Sequence, residues 1–441
     1  MVIGWSVFNP SYGGSIEYLI MLVFFIMIAW IILVTFVPDH KERGYLISIF
    51  LLALVLRMLV SLLVHTLLPR GYFAPDEGGY IDNGRLLANS WAGISFYAEG
   101  KPLPQTIVSA ILFYIFGNNL YVPLLFENFI GAMTVLNVYF ITKRLFNKQS
   151  ARYASIITTI LPSIVLWSSL LLKDPNTQFL ITFIIHLTLR LKERLRFSNL
   201  AILIGSIALI GFFRGYLLII VFMAVASSFI TFRKETFIRN FIIITLFAMT
   251  FAVLFSSYEA KSIPKYETNK ESAFQSLQQI RTGFYTGGSK ILGHINISTP
   301  MNALKYSPLL LAVFFLAPFP WDITGSMLHN LATAEGLIWY FFFYYAIKGI
   351  MRSLKEGKYD TMPVLVMIGV ISVAYALAIS NMGAAYRFRA QVSVLLLVFS
   401  GYGLYLRKQE HIKKYALPEE PKVQVNSPTP SLNKEGVITP P

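Results

Sequence analysis

The run YLISIFLLALVLRMLVSLLVHTLL, residues 45–68, is followed four residues later by Phe73-Ala74-Pro75-Asp76-Glu77-Gly78-Gly79-Tyr80-Ile81-Asp82. The first stretch is long and apolar enough to cross a bilayer. Its one Arg, Arg57, lies near the middle and requires a partner or a water-lined neighbourhood. The second stretch carries three carboxylates in seven residues. Acids at the mouth of a membrane helix are costly to place, so the pair predicts a membrane protein with a polar site at the bilayer surface.

Composition agrees. The chain has 441 residues, 55% hydrophobic and 13% charged, with a mean hydropathy of +0.60. A soluble domain is nearer a quarter charged. There is no Cys, which excludes disulfides, zinc–thiolate sites and thiol nucleophiles. The six His show no HxxxH or HExxH spacing, which argues against a His-built metal site. The net charge of +15 does not indicate nucleic acid, because the basic residues lie mostly in short loops between apolar runs. The first apolar run starts near Ser15 without a basic leader, so no cleavable signal peptide is expected. No internal repeat, Walker loop or GxGxxG is present, which disfavours an ATP-driven pump.

The pattern predicts spans at about 16–37, 45–68, 120–141, 151–171, 176–190, 199–213, 216–232, 238–257, 333–350, 361–380 and 390–406. Cationic loops recur at Lys41/Arg43, Lys143/Arg144/Lys148/Arg152, Lys192/Arg194/Arg196, Arg233/Lys234/Arg239 and Lys348/Arg352/Lys355/Lys358. Placing all of them in the cytoplasm puts the N-terminus (1–15) outside and the C-terminus inside. Two shorter apolar pieces, 103–116 and 303–317, would invert every later loop if they crossed; they are expected to re-enter or lie at the interface. The expectation is therefore an all-α polytopic protein. About eleven transmembrane helices fill 16–406, with outer loops at 69–119 and 258–332. A cytoplasmic tail, 407–441, is largely disordered, being Pro-, Ser- and Glu-bearing without apolar period from about Tyr415.

This topology gathers Asp76, Glu77, Asp82, Lys101, Asp174, Arg214, Asp322, Arg387 and Arg389 on the outer side. Asp76 and Glu77 follow Pro75, which suits a helix start. They either favour that helix's dipole or act as a general base on an acceptor hydroxyl. Tyr80 lies on the same short surface helix. Lys173-Asp174-Pro175 sits in a turn short enough to hold both charges at the surface. Arg214 occupies an outer turn, where snorkelling alone would explain it. Arg387 and Arg389 are two cations just outside a span on the face poor in them, a placement that suits bidentate phosphate binding. Trp321 reads as an interfacial anchor, and Glu127 and Asn128 as polar links between helices.

In order, Pro75-Asp76-Glu77 with Tyr80, then Lys101-Pro102-Leu103-Pro104, then a span ending Lys143-Arg144-Leu145-Phe146, resemble the membrane-embedded GT-C glycosyltransferases. The similarity is to bacterial protein O-mannosyltransferase-like and aminoarabinose-transferase-like enzymes. Leu172-Lys173-Asp174-Pro175 and Tyr386-Arg387-Phe388-Arg389 fit the same pattern, and the resemblance covers about 45–405. The chain departs from it at Leu103, where aminoarabinose-transferase-like enzymes tend to have Lys-Pro-Pro, and at Glu127-Asn128, where they often carry an Arg. The resemblance implies a GT-C-like bundle, a polyprenyl-phosphate–sugar donor, and a hydroxyl acceptor on a lipid, glycan or protein. It implies inverting transfer at the outer face of a bacterial plasma membrane. Asp76, Glu77 and Asp174 would be catalytic; Tyr80, Lys101, Arg214, Arg387 and Arg389 would bind substrate. A divalent cation on the outer acids stays open. The alternatives are a lipid-diphosphate-dependent polysaccharide polymerase or ligase, a lipid-linked sugar transporter or flippase, and a non-catalytic assembly protein.

Overall fold

A computed structural model describes residues 15–229, 273–285, 290–321 and 327–415. The span expected at 238–257, Asp322, residues 1–14 of the N-terminal segment expected outside, and the expected tail beyond Tyr415 lie outside these residues. The described chain forms fifteen α-helices. They are α1 Ser15–Phe36, α2 His40–Leu67, α3 Asp76–Trp91, α4 Pro104–Phe116, α5 Tyr121–Leu145, α6 Lys148–Ile160, α7 Pro162–Trp167 and α8 Lys173–Glu193. Then follow α9 Phe197–Phe213, α10 Leu217–Phe229, α11 Ala273–Phe284, α12 Pro300–Leu316, α13 Met327–Lys355, α14 Met362–Ala378 and α15 Met382–Tyr415.

Five are long and apolar enough to cross a membrane: α1, α2, α5, α14 with its preceding 3₁₀ turn, and α15. α8 and α13 have comparable length, 21 and 29 residues. α4, α9, α10 and α12 are apolar but run only 13 to 17 residues among those described. At 13 residues α4 is about 20 Å long, well short of a hydrocarbon core about 30 Å thick.

The span expected at 151–171 is not one helix. Leu161 is extended (φ −64°, ψ 119°) and Pro162 opens the separate six-residue α7. Proline has no N–H to give the preceding turn and pushes its predecessor out of the helical region. Residues 168–172 then run non-helically and fully buried into α8. This irregular stretch forms the floor of the site described below.

α15 is the central helix. From Ala390 to Gly403 every residue is buried, so it is walled on all sides rather than on one face. Small residues bring its neighbours to backbone contact. A Cβ on Gly403 would stand 2.1 Å from the Tyr345 carbonyl oxygen of α13, and one on Gly401 would stand 2.4 Å from Ser150 O of α6. The helix also begins earlier than expected, so Arg387 and Arg389 lie in its first turns rather than outside it. One apolar cluster joins α1, α2 and α5; a second spans α8–α10 and α12–α15; a third packs α3, α4 and α7 against 170–172 and Tyr386.

Candidate functional site

Three segments far apart in sequence converge: the first turn of α3, the first turn of α8 and the start of α15. Arg387 is the junction. Its Nη1 and Nη2 donate to Asp76 Oδ1 and Oδ2, each at 3.0 Å. Its Nε and Nη2 also donate to Asp174 Oδ2, at 2.8 and 2.6 Å. The guanidinium lies over the Trp167 ring, 5.8 Å from its centre.

Asp174 is completely buried. Its second oxygen, Oδ1, accepts from Arg214 Nη2 at 2.9 Å and from Gln391 Nε2 at 2.5 Å. Burial pushes this carboxyl up, but the charges of Arg387 and Arg214 and the hydrogen bonds from Arg387 and Gln391 outweigh it. The group is held below the usual carboxylate range. A closed ring supports it. Arg214 Nη1 donates to the Tyr216 hydroxyl (2.8 Å), which meets the Tyr375 hydroxyl (3.1 Å). Tyr375 donates to Gln391 Oε1 (2.7 Å), and Gln391 returns to Asp174. Arg214 Nε donates to Thr177 Oγ1 at 3.2 Å, so all three nitrogens of this buried side chain bond to protein. Burial works against its charge, yet the negative partners around it raise its hold on the proton.

Asp76 and Glu77 are adjacent but part company, as successive helix residues must at about 100° per residue. The Asp76 side chain is 37% exposed. Glu77 turns inward, where its Oε1 accepts from the Leu171 backbone N–H (2.8 Å) and meets His65 Nε2 (3.0 Å). His65 Nδ1 faces Ser61 O at 2.7 Å. Both ring nitrogens therefore face acceptors, whereas neutral imidazole has one N–H. His65 thus bridges Glu77 and the Ser61 carbonyl of α2. Glu77 thereby pins α3 to α2 and to the floor of the site.

Tyr80 is buried one turn after Asp76; burial and the Asp76 charge push its hydroxyl up to about 12. Lys173 Nζ lies 6.0 Å from the centre of the Tyr80 ring and makes no ion pair among the described residues. Burial, with the Arg214 charge beside it, lowers the affinity of this ammonium for its proton.

Two expected site residues lie elsewhere. Lys101 is exposed in the loop between α3 and α4 and takes no part in this network. Arg389 is buried behind the site. Its Nη1 donates to Phe315 O (3.0 Å) and Ala317 O (2.7 Å), and it stacks near Trp339 and Tyr386. It caps the carbonyl end of α12, as Trp339 Nε1 also does by donating to Phe315 O (2.7 Å). Asp82 forms only an exposed pair with Arg70 at 3.4 Å. Within the described residues no group of three or more His, Asp or Glu is arranged to hold a metal ion.

His65, Tyr216, Tyr375 and Gln391 join the site with almost no mark in the sequence pattern. His65 lies inside the apolar run 45–68 and has no His partner at metal-binding spacing. The other three are uncharged and sit in or beside apolar runs; the Gln within the span at 390–406 was the one visible signal.

Residues 101–258 match the family model described as Dolichyl-phosphate-mannose-protein mannosyltransferase. No curated protein matches the chain. Among solved structures, the Archaeoglobus fulgidus oligosaccharyltransferase in its apo form is 18% identical, with a TM-score of 0.47, over 84% of this chain and 53% of that one. The same archaeal enzyme tethered to an acceptor peptide containing the NVT sequon gives 17% identity and a TM-score of 0.47, over 84% and 51%. The chain thus spans about half the length of these structures. The family match takes in Asp174 and Arg214, two members of the charged cluster, so this part of the chain is similar to the dolichyl-phosphate-mannose-protein mannosyltransferase family.

Proposed function

We propose that the protein transfers a sugar from a polyprenyl-phosphate-linked donor to a hydroxyl acceptor at the outer membrane surface, with inversion. The observation that carries this reading is the convergence of Asp76, Asp174 and Arg387, with Lys173, unpaired among the described residues, beside them. Asp76 is the carboxylate with an open face and is assigned as the base. Its oxygen takes the proton of the acceptor hydroxyl as that hydroxyl's oxygen bonds to the anomeric carbon. The bond from that carbon to the phosphate oxygen breaks, and its electron pair leaves on the lipid phosphate. This leaving group is a weak base and needs no proton. Arg387 and Lys173 take up its charge in a half-buried setting where such contacts are strong. Asp174, saturated by donors, orients Arg387. Glu77 holds the first turn of α3 in place, so the base role first shared between Asp76 and Glu77 is assigned to Asp76.

The frame that suits this chemistry is the eleven-crossing, N-outside and C-inside arrangement in a bacterial plasma membrane, with 69–119 and 258–332 as outer loops. The test is release of sugar from a panel of radiolabelled polyprenyl-phosphate sugars by purified protein in lipid, compared with Asp76→Asn. Release by the wild type and loss in the variant are expected. Failure of every monophosphate donor while a lipid-diphosphate sugar is consumed would overturn the reading in favour of a polymerase or ligase.

A further inference from the structure

A second feature lies at the other end of α8. Asp174 and Glu193 bracket this helix, so its far end stands about 30 Å from the charged cluster. There a cavity of about 640 Å³ opens between α1, α5, α8 and α9. Its walls are mainly apolar, with Phe36 from α1, Met133 and Phe140 from α5, and Phe179, Phe183 and Leu187 from α8; Asn137 and His186 are the polar groups between α5 and α8. A smaller hollow of about 190 Å³ adjoins it, sharing Arg144, Arg190, Glu193 and Asn199 with the cavity and adding Arg194 and Arg196.

Charge is unbalanced here. Among the described residues four Arg surround the hollow and Glu193 is its one acid. That acid is engaged by Arg144 Nε at 2.5 Å. Glu42, at the cavity mouth, is taken by Lys143 (2.6 Å) and Lys148 (3.3 Å), and Asp39 by Lys148 (2.9 Å). Arg190, Arg194 and Arg196 have no carboxylate within ion-pairing distance among the described residues. Arg190 instead lies over the Phe36 ring, 5.2 Å from its centre, at the junction of apolar wall and basic hollow. An apolar slot ending in surplus guanidinium is complementary to a molecule with a hydrocarbon tail and an anionic head. A zwitterionic headgroup would also need an acid for its cationic end, and the local acids are already paired.

We propose that this cleft is a binding site for an anionic glycerophospholipid, its acyl chain between α5 and α8 and its phosphodiester among Arg190, Arg194 and Arg196. The site is separate from the charged cluster and does not depend on the proposed transfer activity. It fits the membrane surface at which the basic loops gather.

Native mass spectrometry of the detergent-purified full chain tests this, with phosphatidylglycerol and phosphatidylcholine of identical chains as probes. Phosphatidylglycerol is expected to be retained about tenfold more strongly. The combined Arg190→Gln, Arg194→Gln and Arg196→Gln variant should bring it down to the phosphatidylcholine level. Glu193→Gln, which removes the one acid, should raise retention, and Leu187→Trp, which fills the slot, should lower it with the arginines intact. Equal retention of the two lipids, or retention indifferent to all these changes, would overturn the assignment. So would displacement of phosphatidylglycerol by an equimolar polyprenyl phosphate, which would give the cleft to the donor class of lipid.

Discussion

Arg387 grips Asp76 through both carboxylate oxygens, at 3.0 Å each, across 311 residues of sequence. The same two N–H groups are the ones a phosphate would use, so under the proposed function donor binding and the Asp76 pairing would draw on one guanidinium. Lys keeps the charge at this position but cannot span two carboxylates. Arg387→Lys is expected to cut turnover of a polyprenyl-phosphate sugar by roughly 100-fold or more. Donor-hydrolysis and transfer assays on protein of unchanged size-exclusion profile would check it.

Asp76 and Glu77 should separate cleanly. Asp76→Asn is expected to lose at least about 100-fold in turnover with little change in unfolding temperature. Glu77→Ala strips the Leu171 N–H and His65 of their buried partner and should cost about 3–5 kcal/mol. Thermal unfolding in detergent beside the transfer assay distinguishes them. A stable, fully folded but inactive Glu77→Gln would instead restore Glu77 to the chemistry.

Arg389 is expected to act on stability alone. Arg389→Met leaves the Phe315 and Ala317 carbonyls without this donor, a loss of about 2 kcal/mol or more. Turnover per folded molecule and the donor KM should stay within about twofold of wild type. A raised donor KM at unchanged stability would show that it touches substrate.

The low pKa of Asp174 fixes the direction of an acid dependence. Its folded value lies below the ordinary 3.8, so its stabilising effect is complete above that value and is lost as pH falls through the lower folded value. The stability gap between wild type and Asp174→Asn should stay flat from about pH 8 to pH 5 and narrow only below about pH 4. Unfolding temperatures measured across that range would show it. Narrowing already between pH 7 and 5 would mean the carboxyl is not held ionised by Arg387 and Arg214.

The charged members of the site were legible in the sequence because apolar spans set them off. Asp76, Asp174, Arg214 and Arg387 each stand near the end of a hydrophobic run, and the side of the bilayer expected from loop charge was enough to group them. What pattern could not supply was direction. Glu77 and Arg389 carry the right charge at the right depth, but helix rotation turns both into the protein. The break at Pro162 was hidden because 151–171 is uniformly apolar, and hydropathy does not register a lost backbone hydrogen bond. Gln391, Tyr216 and Tyr375 were missed because neutral polar groups weigh little in such runs; only their contacts mark them. Spans near the length limit, such as α9 and α10, kept soft ends for the same reason.

The ring beneath Asp174 has a single polarity. Arg214 donates to Tyr216, and Tyr375 donates to Gln391, which donates to Asp174; that leaves the Tyr216 hydroxyl to donate to Tyr375. Every rotor is thus set, and the circuit starts at a guanidinium, which has no lone pair to receive anything. A proton arriving at Asp174 would have to reverse three donors in turn and would find a dead end. The buried acid is insulated from proton traffic, and under the proposed transfer the proton that Asp76 takes up leaves by its open edge to water.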